Sequence, residues 1–207
     1  LASEPQEFRQ WAARTGRWRD FEPGQFVYFA GDPADGIYGL ESGGLEVTFP
    51  LIAEEPIVLY RAQIGFWIGD NAELSNTPRT ISLMAATRCR MLQLPHAAIH
   101  TFLSSHPHYW QSFYRLATIN TGIAVGLLAE VLSLSLRARM CRRLLQLTES
   151  GMDIAVTQED LAKMLGVYRS TLRPILNDLA ERGAIKLGYR RLSVIDRSIL
   201  MTYTNEQ

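Results

Sequence analysis

The stretch VTQEDLAKMLGVYRSTLRPILNDL, residues 156–179, reads as two short amphipathic helices that meet at a glycine. Thr157 is placed to cap the first helix, and Asp160, three positions on, brings a carboxylate to the positive helix end. Leu161, Ala162 and Leu165 make an inward face, and Gly166 stands where the chain must reverse into left-handed backbone angles. In the second helix Leu172, Ile175, Leu176 and Leu179 share one stripe, which leaves Arg169, Ser170, Arg173 and Asn177 pointing away from it. This is a helix-turn-helix pattern, in which one helix braces on DNA phosphates and the other enters the major groove. An arginine fork matches O6 and N7 of guanine, while Ser and Asn meet base edges or phosphates. Double-stranded DNA is the expected partner, and Thr157, Gln158, Arg169, Ser170, Thr171, Arg173 and Asn177 are the expected contacts. A plain helix pair with a solvated basic face is the competing reading.

The residues after the second helix weigh against that competitor. Gly183 ends the helix, and residues 184–187, 188–191 and 192–195 read as strand, turn and strand. A hairpin with a basic tip behind a recognition helix makes a winged helix-turn-helix, with Arg190 and Arg191 placed to touch phosphate. Arginines in a turn also serve solubility.

Net charge is zero over 207 residues, yet it is unevenly spread. Residues 1–133 hold 9 Lys+Arg against 13 Asp+Glu, a net −4, and residues 134–207 hold 12 against 8, a net +4. The basic half is the one that carries the helix-turn-helix, as phosphate binding requires. Nineteen of the 21 basic residues are arginine, the better residue for bidentate contacts. A hydrophobic fraction of 47% suits a soluble globular chain, with no membrane-length apolar run and no signal peptide. Cys89 and Cys141 lie far apart, which fits a reducing cytoplasm without a disulfide framework. The chain starts at Leu1 rather than methionine, which leaves room for a preceding segment.

Residues 21–95 have the pattern of β structure. Apolar runs at 25–29, 36–40, 45–49, 57–60, 81–84 and 90–94 recur between Gly, Pro, Asp and Asn, as in a sandwich or barrel. A helix is predicted over 5–15. From 107 to about 133 the pattern turns helical, with Phe113, Ala117, Asn120, Ala124, Leu127, Val131 and Leu134 spaced 4, 3, 4, 3, 4 and 3. A helix about 40 Å long needs a partner along its seam, and a parallel homodimer is the expectation, with burial against the chain's own barrel the alternative. Asn120 would fix the register, and Gly122 and Gly126 would let backbones approach closely. The predicted organisation is a barrel over 1–106, a dimerisation helix over 107–134 and a DNA-binding domain over 135–207.

In this order, an antiparallel jelly-roll barrel, a long dimer helix and a C-terminal winged helix-turn-helix, the α+β chain resembles the CRP/FNR superfamily of bacterial transcription regulators. The most specific match is Gly65-Phe66-Trp67-Ile68-Gly69-Asp70 followed by Pro78-Arg79-Thr80, which is similar to the family's phosphate-binding cassette. The resemblance implies that Arg79, Thr80 and the Gly69 backbone hold a cyclic phosphate, with Asp70 in place of the family's glutamate for the ribose hydroxyl. It also implies RNA polymerase as a partner. Asp70 is one methylene shorter than glutamate, and Ala124 and Val125 occupy the positions from which hydroxyl residues bond adenine. An unmade buried hydrogen bond costs about 1–3 kcal/mol, so the expected effector is a small molecule other than cyclic AMP. The recognition helix departs too. Tyr168 takes the cap position, Arg169 matches the family's first arginine, and Pro174 stands where a second is usual, which predicts a distorted first turn.

Two cysteines cannot supply an iron–sulfur cluster, and no haem ligand is evident. His96, His100, His106 and His108 are clustered, and His96 and His100 are one helical turn apart, but no Cys or carboxylate lies nearby in sequence. No metal site is therefore expected. No Ser/His/Asp or Cys/His set and no nucleotide-phosphate loop points to an enzyme. Two other readings stay open. One is a ligand-independent DNA-binding dimer with a relic effector site. The other is a nucleotide-binding signalling module whose helix-turn-helix contacts protein.

Overall fold

The computed structural model describes residues 4–50, 57–62, 64–148, 153–154, 156–188 and 191–207. They fall into two compact units, Leu1–Ile123 and Ala124–Gln207.

In the first unit α1 (Gln6–Thr15) leads into β1 (Arg17–Phe21), β2 (Phe26–Tyr28), β3 (Gly36–Ser42), β4 (Leu45–Phe49), β5 (Ile57–Ala62) and β6 (Trp67–Ile68). Then come α2 (Asp70–Ser75), β7 (Ser82–Ala85), β8 (Cys89–Pro95) and α3 (His96–Ser105). The strands make two four-stranded antiparallel sheets, β1-β8-β3-β6 and β2-β7-β4-β5. Alternation sends Tyr38, Leu40, Leu45, Val47, Leu83 and Met91 into the space between them. β3 is buried over five consecutive residues, Gly36 to Leu40, because both of its faces are covered. Tyr38 and Leu40 point into the barrel, whereas Ile37 joins an aromatic cluster from the helices. Gly39 must be glycine, since a Cβ there would run into the Trp67 ring. The charged strand Arg17-Trp18-Arg19-Asp20 lacks an apolar pattern and escapes a periodicity reading, yet it pairs with β8 in full register.

That aromatic cluster centres on Phe8. Its ring lies 5.3 Å from Trp11, 5.8 Å from Phe102, 5.5 Å from Tyr109 and 5.5 Å from Phe113. Trp11 stacks on Phe102 at 4.2 Å. A 3₁₀ turn, Pro107–Tyr109, precedes α4 (Trp110–Ser133), and Phe113 on its first turn enters the cluster.

This placement corrects the expected dimer seam. Phe113 is buried against its own chain, and the Asn120 amide donates to the Trp67 carbonyl at 3.1 Å and to Asp70 Oδ1 at 2.7 Å. Ala117, Leu127 and Leu134 are half-buried, while Ala124 and Val131 are exposed. The exposed stripe lies one position on, at Tyr114, Thr118, Thr121, Val125, Leu128 and Leu132, again with spacings of 4 and 3. A helix with apolar residues on two faces does not declare in its sequence which face meets its own barrel. By length and mean hydropathy (1.6) the segment Pro107–Ser133 is long and apolar enough to cross a membrane. Its uncharged run between Arg115 and Glu130 is only 14 residues, short of a full span.

The second unit contains α5 (Leu136–Leu147), β9 (Asp153–Ile154), α6 (Gln158–Leu165), α7 (Arg169–Glu181), β10 (Ile185–Gly188), β11 (Arg191–Val194) and α8 (Arg197–Tyr203). The sheet order is β10-β11-β9, antiparallel throughout. Met140, Leu144, Leu161, Leu172, Leu176 and Leu179 form its core, closed by Val194 and Leu200. Ile175, expected in the same stripe, packs half-buried at the edge. Cys89 and Cys141 are both buried free thiols, and burial pushes the Cys141 thiol up to about 12, which makes it inert.

Phe8→Ala should remove the hub of the aromatic cluster and destabilise the first unit by about 3–5 kcal/mol in urea denaturation. A loss below about 1 kcal/mol would show that α1 is not anchored by this ring.

Candidate DNA-reading unit and effector site

The helix-turn-helix is built by its caps. Thr157 Oγ1 accepts from the Asp160 backbone N–H at 3.0 Å, and Asp160 Oδ2 accepts from the Thr157 backbone N–H at 3.1 Å, a reciprocal capping box. Gly166 ends α6 with φ 65° and ψ 36°, the left-handed conformation that glycine adopts without strain. The Val167 N–H returns to the Ala162 carbonyl at 3.1 Å and completes the turn.

α7 starts at Arg169 with Tyr168 as its N-cap, and no side chain among the described residues caps it. Ser170 therefore lies inside the helix. The Thr171 N–H bonds the Tyr168 carbonyl at 3.0 Å, while the longer-range bond from Leu172 stretches to 3.4 Å. The first turn is thus tightened towards 3₁₀ geometry, and α7 then runs through Pro174 to Glu181. Pro174 does not interrupt the helix, which runs from Arg169 to Glu181. It is the sixth residue of α7, so with Ser170 inside the helix the Ser170 carbonyl loses the N–H donor, four positions on, that any other residue at 174 would supply.

Leu172, Leu176 and Leu179 face the core, and Arg169, Ser170, Thr171, Arg173 and Asn177 are all exposed. Arg169 Nε donates to Gln158 Oε1 at 3.3 Å, linking the starts of α6 and α7. Beside them opens a cleft of about 330 Å³ lined by Thr157, Gln158, Arg169, Gly188 and Arg191. Five residues from α6, α7 and the hairpin, four of them expected DNA contacts, thus converge on one hollow. Arg191 is exposed at the tip end of the wing, opposite Gly188 in the last described pair of the register. Arg190 lies outside the described residues.

The effector cassette is organised around Arg79, which is 3% exposed. Its Nη2 donates to Asp35 Oδ1 at 2.7 Å and to the Gly36 carbonyl at 2.7 Å, and Nη1 donates to the Gly69 carbonyl at 3.1 Å. The Tyr28 ring lies under the guanidinium at 4.2 Å. Asp35 is held in turn by the Tyr38 hydroxyl at 2.6 Å and by Gln93 Nε2 at 3.1 Å. Burial raises both tyrosine hydroxyls above their ordinary range, and the Asp35 hydrogen bond adds to the effect at Tyr38. Gly69, with φ 101°, caps α2, and a Cβ there would meet Arg79 Nη1 at 2.5 Å.

Gly69 and Asp70 thus lie beside Arg79, but the polar groups expected to meet a phosphate are turned elsewhere. The Arg79 fork is turned onto protein oxygens, Thr80 is exposed, and buried Asp70 accepts from Asn120 instead of presenting its carboxylate outward. Ala124 and Val125 belong to the second unit and are exposed along α4. Asp35, Gln93 and the tyrosines went unnoticed in the sequence. Each is an ordinary residue of a turn or strand until the barrel closes.

The histidine cluster has a neighbour that the sequence did not show. The sequence offers His96 and His100 no carboxylate neighbour, but α2 brings buried Glu73 within 2.8 Å of His96 and 3.4 Å of His100. The separation in sequence, 23 residues to His96, hid that contact.

Burial holds the Asp70 carboxyl above the usual carboxylate range, outweighing the bond from Asn120. The unfolded chain then loses that proton at a lower pH than the native one. Stability contributed at low pH should accordingly fall as pH rises from about 4 through the raised native value. Asp70→Asn should flatten that slope and make the protein more stable at pH 7 than the parent, measured by urea midpoints across pH 3 to 8. An unchanged slope would refute a buried, costly carboxylate.

Comparison with known proteins agrees with this architecture. Residues 18–106 match the cyclic nucleotide-binding domain family, and residues 138–203 match the Crp-like helix-turn-helix domain family. A CRP-like cAMP-activated global transcriptional regulator of Mycobacterium tuberculosis is 26% identical over 188 residues, 86% of this chain and 83% of that protein. A CRP/FNR-family transcriptional regulator from Thermus thermophilus superposes with a TM-score of 0.77 at 21% identity, covering 91% of this chain and 98% of that one. The c-di-GMP-responsive global regulator of Xanthomonas campestris also gives 0.77, at 16% identity over 93% of this chain and 100% of that one. These relatives are regulators of transcription and not enzymes. Carrying a cyclic nucleotide-binding domain ahead of a Crp-like helix-turn-helix, the chain belongs to the CRP/FNR superfamily of transcription regulators.

Proposed function

We propose that the chain works in the cytoplasm as a homodimer, reads two DNA half-sites through α7, contacts RNA polymerase from that position and takes a small-molecule signal at its barrel. The exposed polar face of α7 carries the reading. Arg169, Ser170, Thr171, Arg173 and Asn177 are exposed on the side that Leu172, Leu176 and Leu179 leave to solvent. Gln158, Arg191 and Arg190 are assigned to phosphate alongside it.

The exposed stripe of α4 supports dimerisation. Tyr114, Val125, Leu128 and Leu132 are between 58% and 76% exposed, at heptad spacing, along a helix about 36 Å long. Such a row is stable in water when a second copy covers it. Ala117, Ala124, Leu127, Val131 and Leu134 flank the stripe and would meet the partner from its edge.

The Mycobacterium tuberculosis relative is described as cAMP-activated. Here the apolar Ala124 and Val125 and the turned-in Arg79 support an effector other than cyclic AMP. The Arg79–Asp35 pair favours a second reading as well, a ligand-independent scaffold, because any anion at this fork must first displace a carboxylate already seated there. Thermal shift against cyclic AMP, cyclic GMP, c-di-GMP and small organic acids separates the two. A specific ligand at 100 times its Kd adds about 2.7 kcal/mol, and a scaffold gains nothing from any of them.

Three outcomes are expected. DNA affinity should fall steeply between two salt concentrations in a gel shift, and salt-independent binding would overturn DNA recognition in favour of a protein partner. Arg173→Ala should cost about 1–3 kcal/mol and relax specificity at one base position, whereas uniform weakening across sequences would make Arg173 a phosphate contact. Val125→Glu combined with Leu128→Glu should convert the dimer to a monomer in light scattering, and an unchanged mass would move the interface off this stripe.

A further inference from the structure

Glu73 sits one turn into α2 with its side chain fully buried, at 0% exposure. Among the described residues neither of its carboxylate oxygens has a hydrogen-bond partner, and the same is true of His96 Nδ1 and His100 Nε2 beside it. Nδ1 of His96 is 2.8 Å from Glu73 Oε1, and Nε2 of His100 is 3.4 Å from the same oxygen. Close approach without hydrogen-bond geometry means that the ring N–H directions miss the carboxylate. The two imidazole rings lie 4.2 Å apart, so charging both to satisfy Glu73 would set like charges against each other. Oε2 would still lack a donor. Leaving a carboxylate buried and unpaired is among the most expensive arrangements a fold can hold.

A single cation resolves all of this. The three ligand atoms lie within 4.8 Å of one another. Bonds of about 2.0–2.1 Å to one ion place neighbouring ligands roughly 3.0 Å apart in octahedral and 3.4 Å apart in tetrahedral geometry, close to the two separations from Glu73 Oε1, 2.8 and 3.4 Å. Two imidazoles and a carboxylate, with no thiolate, suit a borderline divalent first-row ion. The histidine side chains are each 44% exposed, so the outer side of the cluster is open to water and to the entry of an ion. The backbone is set from outside the cluster as well, since the His96 N–H donates to the Asp35 carbonyl at 3.1 Å.

We propose that Glu73, His96 and His100 form a divalent transition-metal site that staples α2 to α3 in the first unit. α2 begins at Asp70 and is capped by Gly69, so the staple would hold the helix of the effector cassette against the helix that follows the barrel. The site stands independently of whether the barrel takes an effector or acts as a scaffold.

The test uses the full chain, stripped with a chelator and titrated with Zn²⁺ in competition with a chromophoric chelator. One Zn²⁺ should bind per chain. Co²⁺ should bind at the same site and give visible d–d absorption. His96→Ala and His100→Ala, both at half-exposed positions, should each weaken Zn²⁺ by about 100-fold or more, since loss of an outer partner alone costs 10–100-fold. His106→Ala and His108→Ala should leave it unchanged. Glu73→Gln should also lose the ion, with circular dichroism checking that its fold survives, and the histidine variants decide the matter if it does not. Zn²⁺ binding equally well to the His96→Ala/His100→Ala double variant would overturn the proposal. So would a loss that follows His106 or His108, or the absence of saturable binding in the parent, the result expected of a Glu–His ion pair alone.

Discussion

A guanidinium buried in a β-barrel has to be satisfied from every side, and much of the first unit is arranged to satisfy that of Arg79. Asp35 supplies the opposite charge, the Gly36 and Gly69 carbonyls take two further hydrogen bonds, and Tyr28 lies beneath the plane. These contacts reach β3, the start of α2 and the turn before β3, so one side chain ties together segments far apart in the chain. The left-handed Gly69 is what allows the guanidinium to come this close to the cap of α2. Were the fork to be drawn onto a ligand phosphate, Asp35 would lose its guanidinium partner and be left with the hydrogen bonds from Tyr38 and Gln93 to its other oxygen. The same network that stabilises this barrel is therefore the one that a ligand has to rearrange.

The second unit depends on a simpler constraint. Its core is apolar and continuous, and α7 is gripped along one side by Leu172, Leu176 and Leu179. Everything polar on that helix is consequently displayed on the other side in fixed order. The capping box at Thr157 and the turn at Gly166 set where α7 begins, and the link from Arg169 to Gln158 aligns the two helix starts. Recognition helices of this kind work because their side chains are presented by a rigid frame.

The helix-turn-helix was legible because its signals are local. A cap, a glycine and a stripe with 3.6-residue periodicity each act within a few residues, and the Thr157–Asp160 box and Gly166 stand where the pattern put them. Six of the eight barrel strands were legible for the same reason. β1 was missed because Arg17, Trp18, Arg19 and Asp20 are exposed and show no alternation, and β6 because two residues are too few for a pattern. The exposed stripe of α4 lies one position on from the expected seam. Both of its faces carry apolar residues at heptad spacing, and which face is already covered depends on where Phe8 and Asp70 sit in space.

By itself, then, the sequence determined the order of the domains, the DNA-reading motif and its polar face, and a stretch at Gly69, Asp70, Arg79 and Thr80 that resembles the family's cassette. Tertiary structure alone decided what the charged groups of that cassette meet. Arg79 is partnered by Asp35 from 44 residues away and Asp70 by Asn120 from 50 residues away, while Glu73 is approached by histidines from beyond the next two strands. Periodicity and capping are short-range effects of backbone geometry and so can be read along the chain. Partners for buried charges are chosen by which strands and helices the fold brings together, because a charge leaving water must find compensation wherever the packed chain supplies it.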